Sequence, residues 1–390
     1  MLNTVKAMLW IALLISAQTQ SASIPLRIDA NAEEVETVFS WRNDRCFDEN
    51  IPDSPARAFR SKGGVVYLYA THHKNVPLTG ASLDNLKPAC ATQFQGANSA
   101  DPRHYNTRIW LQTFFSTNSG KDIYSLGSSD YHGKWFKNCK LTKNPSSDCW
   151  FSAIVLAHSI DGGKTFTTAT PPDHVVANSS QQYSPTQEGS VGFLTTSNIV
   201  KVDDYFYALF YASADKRQEN GNCLARTNDL ADARSWRAWD GRDFNVSLYQ
   251  PQKLKGSSAT CKTLPSLPYK IRSLLWHEAS QGYIATFEKT KSIKTLQRRT
   301  DVTFSYSWSK DLKDWSRPRE IVTLEGPLHC SRAQVAGAYP SLIDSSSLDE
   351  NFGSVGDSAY LYYTKFNLQS KCRLTLDRDL VRIPIKIHSE

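Results

Sequence analysis

Three stretches concentrate side chains able to move protons. IPDSPARAFR (51–60) carries Asp53, Arg57 and Arg60 ahead of an apolar run. SSDYHG (128–133) places Asp130, Tyr131 and His132 side by side, and SPTQEGSVGFLTTSN (184–198) presents Glu188 just before another apolar run. Carboxyl, imidazole and phenol groups serve as acids or bases when their pKa lies near the working pH. Guanidinium groups match a carboxylate in a two-pronged contact. His72 begins an HH pair directly after an apolar segment, Arg272 precedes WHE (276–278), and Tyr339 lies in GAYPSL. Each of these residues also has an ordinary reading, as a polar turn or an arginine laid along apolar surface. What separates the readings is whether the fold brings them together.

The elements that must position them are short. Helical periodicity is scarce, and aromatic and β-branched runs alternate with Gly, Asp, Asn, Ser and Pro turns, which is the all-β pattern. The runs repeat: GGVVYLYATHH (63–73), DDYFYALFYAS (203–213), QGYIATFEKT (281–290) and DSAYLYYTKF (357–366) each set turn residues before an aromatic-rich strand. Two are followed by a second shared pattern, Ser/Thr-x-Asp-Leu and then Trp: Thr227, Asp229, Leu230, Trp236, and Ser309, Asp311, Leu312, Trp315. SIDGGKTF (159–166) holds the same place after its own strand, and STNSGKDIY (116–124) is a weaker copy. Five units result, at roughly 50–125, 126–182, 190–250, 268–325 and 335–388, the spacing of four-stranded propeller blades. VETVFSW (35–41) is expected to close the ring against the last unit. A sixth blade within 75–125 and an array of β-sandwiches remain open as alternatives.

SIDGGKTF resembles the Asp-box of sialidase-type propellers, and the Ser-x-Asp-Leu…Trp repeats resemble those of five-bladed glycoside hydrolases of the arabinanase, xylosidase and fructosidase type. The resemblance implies that Asp161, Asp229 and Asp311 are structural turn residues, and that chemistry lies in the central channel. It places a general base at Asp53, which follows Pro52, an acid at Glu188 by blade order, and Asp130 as a third carboxylate tuning the acid. Phe59-Arg60 also resembles the start of the sialidase Phe-Arg-Ile-Pro motif, with Ser61-Lys62 in place of its second half. Arg57, Arg60, His72, Tyr131, His132, Arg272 and Tyr339 are the expected substrate contacts. A channel calcium is allowed by the same resemblance, although no ligand-dense motif supports it.

Glycosidases need two carboxyls flanking the scissile bond. Two other functions stay open. Polysaccharide lyases on propeller scaffolds use His and Tyr as base and acid on uronic-acid polymers, which would employ His72, Tyr131 and His132. A non-catalytic propeller binding glycan or protein is the third reading. The chain has 390 residues and a net charge of +7, mild enough to mean either solubility or an acidic glycan substrate. Walker, HExxH and GxSxG motifs are absent and basic residues form no run, so nucleotide, zinc-protease and nucleic-acid functions are not indicated.

The first 23 residues read as a secretory signal peptide: Lys6, then an apolar stretch from Ala7 to Ala17, then small residues. Residues 24–390 are then one propeller domain, secreted to an extracellular or periplasmic space. No later run is long enough for a membrane span. Eight cysteines in that context predict disulfides, and their order suggests Cys46–Cys90, Cys139–Cys149, Cys223–Cys261 and Cys330–Cys372, one of 105 possible connectivities. Asn178 and Asn245 head glycosylation sequons.

Overall fold

The computed structural model describes residues 24–144, 147–213, 217–250, 260–293, 299–330, 334–368 and 372–390. The signal-peptide reading of 1–23 lies outside the described residues. Within them the chain is nearly all β, with one short helix, Trp41–Asp44, and two single 3-10 turns. No helix among them is long and apolar enough to cross a membrane.

The strands sort into antiparallel meanders in chain order. The first is Arg57–Arg60, Val66–Tyr69, Leu78–Gly80 and Leu86–Pro88. The second is Ile109–Thr117, Asp122–His132, Trp150–Ser159 and Val175–Ala177. The third runs from Ser190–Thr196 through Tyr205–Ser213 and Gly221–Thr227 to Arg237–Trp239 and Phe244–Ser247. A short parallel pairing of Ser190–Gly192 with Trp150–Ser152 joins the second and third meanders into one ten-stranded sheet. The fourth is Ile271–His277, Gly282–Ile293, Arg299–Ser309 and Arg319–Leu324. The fifth is Gly337–Ile343, Ser358–Phe366 and Arg378–Ser389, completed by two strands from the start of the chain, Leu26–Ala30 and Glu36–Phe39. The expected closure by VETVFSW is therefore present: Glu36 pairs with Arg382 and Phe39 with Leu380.

Hydrogen bonds from leading-strand residues, or residues beside them, link successive meanders in a closed circuit. The amide of Leu111 donates to Asn75 Oδ1 (2.9 Å), that of Thr196 to Gln112 Oε1 (3.1 Å), that of Leu274 to Asn198 Oδ1 (3.1 Å) and that of Leu342 to Ser273 Oγ (3.2 Å). Ser341 Oγ returns to the first meander by donating to the Ala56 carbonyl (2.8 Å). Between each neighbouring pair lies an apolar cluster. Phe59, Tyr69 and Phe114 fill the gap between first and second, and Phe193, Phe210 and Trp236 lie between second and third. Leu209, Leu274 and Trp315 fill the third gap, Phe304, Leu361 and Tyr363 the fourth, and Phe39, Leu68 and Tyr362 the closing one. Alternating inward side chains of each strand supply both of its neighbours.

The junction between the first and second units differs from the expected one. Ile109–Thr117 does not end the first meander but begins the second, pairing with Asp122–His132. Residues 75–125 thus divide between two meanders and hold no sheet of their own. STNSGKDIY is the hairpin turn inside that pair rather than a copy of SIDGGKTF.

SIDGGKTF itself is a self-bonded turn. Asp161 Oδ1 accepts from the Lys164 and Thr165 amides (3.0 Å each) and from Ser159 Oγ (2.7 Å), while Thr165 Oγ donates to Oδ2 (2.7 Å). The carboxylate replaces the backbone partners that the turn cannot supply. Gly163 has φ +84°, and a Cβ there would meet the Phe59 ring at 2.6 Å, so glycine is required. Asp311 accepts from the Lys313 and Asp314 amides (2.9 Å each), and Asp229 from the Ala231 amide (2.9 Å). The expected disulfides Cys46–Cys90, Cys139–Cys149, Cys223–Cys261 and Cys330–Cys372 all form. Of the two sequons, Asn178 is 1% exposed with its amide bonded to the Gln250 carbonyl, whereas Asn245 is exposed.

Candidate active site

A cavity of about 570 Å³ opens where the leading strands converge. Asp53 reaches it from the turn ahead of the first meander, anchored by its amide to the Ala70 carbonyl (3.0 Å). Its carboxylate pairs with Arg378, the first residue of the last strand, and accepts from the Tyr339 hydroxyl at 3.5 Å. His72 Nε2 stands 3.9 Å away. Burial pushes the Asp53 carboxyl up, and Arg378 pulls it back toward the ionised form.

Asp130 comes from the far end of the second strand of the second meander. Its Oδ1 accepts from Ser152 Oγ (2.6 Å) and its Oδ2 from Ser128 Oγ (3.4 Å), which in turn accepts from Gln112 Nε2 (3.0 Å). Both acceptor contacts are to neutral hydroxyls. Burial raises its pKa to about 6, the serine contacts oppose that, and the charge of Asp53 adds to it. The indole N–H groups of Trp110 and Trp150 each stand near one carboxyl, Trp110 at Asp53 and Trp150 at Asp130, close enough to ease its ionisation but outside hydrogen-bond geometry.

The walls are aromatic and basic. His132 lies between Trp135 (ring centroids 4.2 Å) and Trp150 (5.0 Å), and His72 meets Trp110 edge-on at 5.2 Å. Burial lowers both imidazoles to a pKa of about 3, so they are neutral at physiological pH. Arg272 is held by Glu288 (Nε to Oε1, 2.9 Å), and its guanidinium carbon lies 4.9 Å from the Tyr339 ring centre. The negative charge of Asp53, then burial, pushes the Tyr339 phenol well above its ordinary range, so it remains a donor.

Six of the ten residues singled out from sequence line this cavity: Asp53, His72, Asp130, His132, Arg272 and Tyr339. The other four do not. Arg57 is 2% exposed and lies behind the wall, donating to Ser341 Oγ (2.9 Å) and to the Ala56 and Arg272 carbonyls. Arg60 turns away, with Nη2 on the Ser347 carbonyl (2.9 Å) and its guanidinium over Phe352. Tyr131 alternates to the opposite face of its strand from Asp130 and His132, stacking on Phe136 with its hydroxyl accepting from Asn138 (3.0 Å). Glu188 is exposed in the loop before Ser190–Thr196, and Leu194 and Thr195 of that strand line the cavity instead.

Sequence reasoning missed Arg108, Trp110, Lys134, Trp150, Lys270 and Arg378. One signal was available: Arg108, Trp110 and Gln112 alternate, as do Lys270 and Arg272, the spacing by which a strand sets side chains on one face, although Arg108 and Lys270 themselves precede their strands. Among the described residues no group of three or more His, Cys, Asp or Glu side chains is arranged to hold a metal ion.

No protein family matches the chain, and no curated protein does. Among solved structures it is similar to an alpha-L-arabinanase of Cellvibrio cellulosa, with 13% identity over 86% of this chain and 91% of that one and a TM-score of 0.46. An endo-1,5-alpha-L-arabinanase from Thermotoga petrophila gives 10% identity over 86% and 71%, with a TM-score of 0.46. A GH32 beta-fructofuranosidase of Bombyx mori gives 12% over 86% and 62%, with a TM-score of 0.45.

Proposed function

We propose that the chain is a secreted, five-bladed β-propeller glycoside hydrolase, one domain over residues 24–390, that cleaves its glycan in this cavity. The observation that carries the reading is the pair Asp53 and Asp130: a half-buried and a buried carboxyl on one cavity, close enough that the charge of Asp53 raises the pKa of Asp130. The hydrogen-bond circuit that passes through all five meanders supports the blade count. Four disulfides suit an oxidising compartment.

The two carboxyls differ in environment, which is how one site obtains both an acid and a base. Asp53 faces a guanidinium and serves as the carboxylate, activating water or attacking the sugar. Asp130 has only neutral hydroxyl partners and serves as the protonated acid for the leaving oxygen. The acid role expected at Glu188 moves to Asp130 in this proposal, because Glu188 points to solvent away from the cavity. Trp110 and Trp150 offer apolar faces to sugar rings.

The test is a glycan-degradation screen of the purified protein. Asp53→Asn and Asp130→Asn should each cost on the order of 10²–10⁴ in turnover, while Glu188→Gln should leave it unchanged. Full activity in both aspartate variants would overturn the assignment. A lyase reading is sustained by neutral His72 and by Tyr339, which both face Asp53 in the same cavity; it requires unsaturated products that absorb in the ultraviolet, and saturated products exclude it.

A further inference from the structure

We infer that the glycan bound in this cavity is anionic, its carboxylate or sulfate ester held by Arg108 and Lys270. This rests on the carbohydrate reading above and names the substrate class. Five cations line the cavity, Arg108, Lys134, Lys270, Arg272 and Arg378, against the carboxyls of Asp53 and Asp130. Two of the five are already spent: Arg378 pairs with Asp53, and Arg272 with Glu288. Arg108 and Lys270 form no ion pair among the described residues. Arg108 lies flat on Trp135, its guanidinium carbon 3.7 Å from the ring centre, and the Lys270 ammonium stands 5.5 Å from the Tyr211 ring.

Both cations are half-buried, and burial lowers the pKa of each; Glu49 near Arg108, and Glu288 and Asp130 near Lys270, stand beyond ion-pair contact and offset this only in part. A cation withdrawn from water without a carboxylate in contact is costly. That cost is recovered when a ligand brings the missing charge into a cavity whose walls focus the field. Arg108 is moreover held at φ +46°, the left-handed region that side-chain-bearing residues seldom adopt. Such backbone strain persists where the surroundings over-determine it, and here it sets Arg108 in line with Trp110 and Gln112 on the cavity wall. His72 and His132 are neutral and add nothing to the positive balance. The aromatic faces argue for a sugar rather than a free inorganic anion, which would meet Asp53 and Asp130 with nothing to stack on the indoles. A volume of about 570 Å³ accommodates a short oligosaccharide.

The experiment uses the full chain on an array of matched oligosaccharides: uronate-containing members and their carboxyl-reduced partners, and sulfated members and their desulfated partners. Binding is then measured by calorimetry. The inference expects an anionic member to bind at least about tenfold more tightly than its neutral partner, with affinity falling as salt rises. Preference within the uronate pairs identifies a carboxylate, and preference within the sulfate pairs a sulfate ester. Lys270→Met and Arg108→Leu, each checked for an unchanged melting temperature, should weaken the anionic member about tenfold and leave the neutral one alone. If no anionic member outbinds its neutral partner, the inference is overturned, and the wild-type comparison decides this even if a variant misfolds. Turnover of neutral glycans without charge preference would refute the anionic ligand and leave the hydrolase reading intact. Charge-selective binding with no loss of activity on changing Asp53 and Asp130 would do the reverse.

Discussion

Asp130 has no cation among its hydrogen-bond partners, and this decides when it carries a proton. With its pKa raised to about 6, it is protonated below that pH and ionised above it. If it is the acid, turnover must fall as pH rises through about 6, and Asp130→Glu should move that limb while Asp130→Asn abolishes it. A rate that climbs steadily from pH 5 to 8 contradicts the role. The same shift has a sign for stability. A carboxyl whose folded pKa lies above its unfolded value opposes folding once pH exceeds the unfolded value, and the penalty is complete above the folded one. Moving an aspartate from 3.8 to about 6 corresponds to about 3 kcal/mol. Asp130→Asn should therefore raise the melting temperature at pH 8 and have little effect at about pH 2, below the unfolded value, where the carboxyl is neutral in both the folded and the unfolded chain; a lower melting temperature at pH 8 would show that the serine contacts outweigh burial. At this scale Asp53 and Asp130 could be singled out in the sequence because each is an acid at the edge of an apolar run. Glu188 satisfied the same rule, yet it is exposed outside the cavity. Edge position alone does not say which way a loop residue faces, and Arg378 was invisible because its partner, Asp53, lies 325 residues away.

At the scale of elements, the turns after the strands carry shape rather than chemistry. Asp161 accepts two backbone and two hydroxyl hydrogen bonds inside its own turn and is exposed to solvent. Asp161→Ala should cost about 1 kcal/mol of stability and, under the proposed function, leave kcat and KM of the folded protein unchanged; a loss of turnover at full folding would give the turn a catalytic part. Trp236, 1% exposed between the second and third meanders, should cost about 3–5 kcal/mol when cut to alanine. Strand segments such as DDYFYALFYAS could be read directly because alternation and turn residues are local properties. The boundary near Ile109 could not. The segment 89–108 joins two meanders almost without strand, and only the pairing of Ile109–Thr117 with Asp122–His132 reveals to which one the following strand belongs.

The whole molecule depends on joining its two ends. Arg378–Ser389 is twelve residues long, and one of its edges is covered only by Leu26–Ala30, opposite Ile385–Ser389, and by Glu36–Phe39, opposite Leu380–Arg382. The same two strands send Leu26 and Ile28 into the cluster between the fourth and fifth meanders and Phe39 into the one between the fifth and first. Arg382 fastens the seam by binding Glu36 and Asp84 at 2.7 Å each. Arg378 begins that last strand and supplies the partner of Asp53, so the strand that the two N-terminal strands cover also contributes to the cavity. A chain beginning at residue 41 would leave a long apolar edge unpaired, the arrangement that recruits other chains. It should therefore aggregate or elute as oligomers and lose activity, and a peptide of residues 24–40 added during refolding should recover both. The point variants Leu26→Ala and Phe39→Ala should each cost about 2–5 kcal/mol, read as a lowered denaturation midpoint with an unchanged slope. A truncated chain that stayed monomeric, melted at the wild-type temperature and kept its activity would show that the seam is decoration and that Asp53 and Arg378 meet without it.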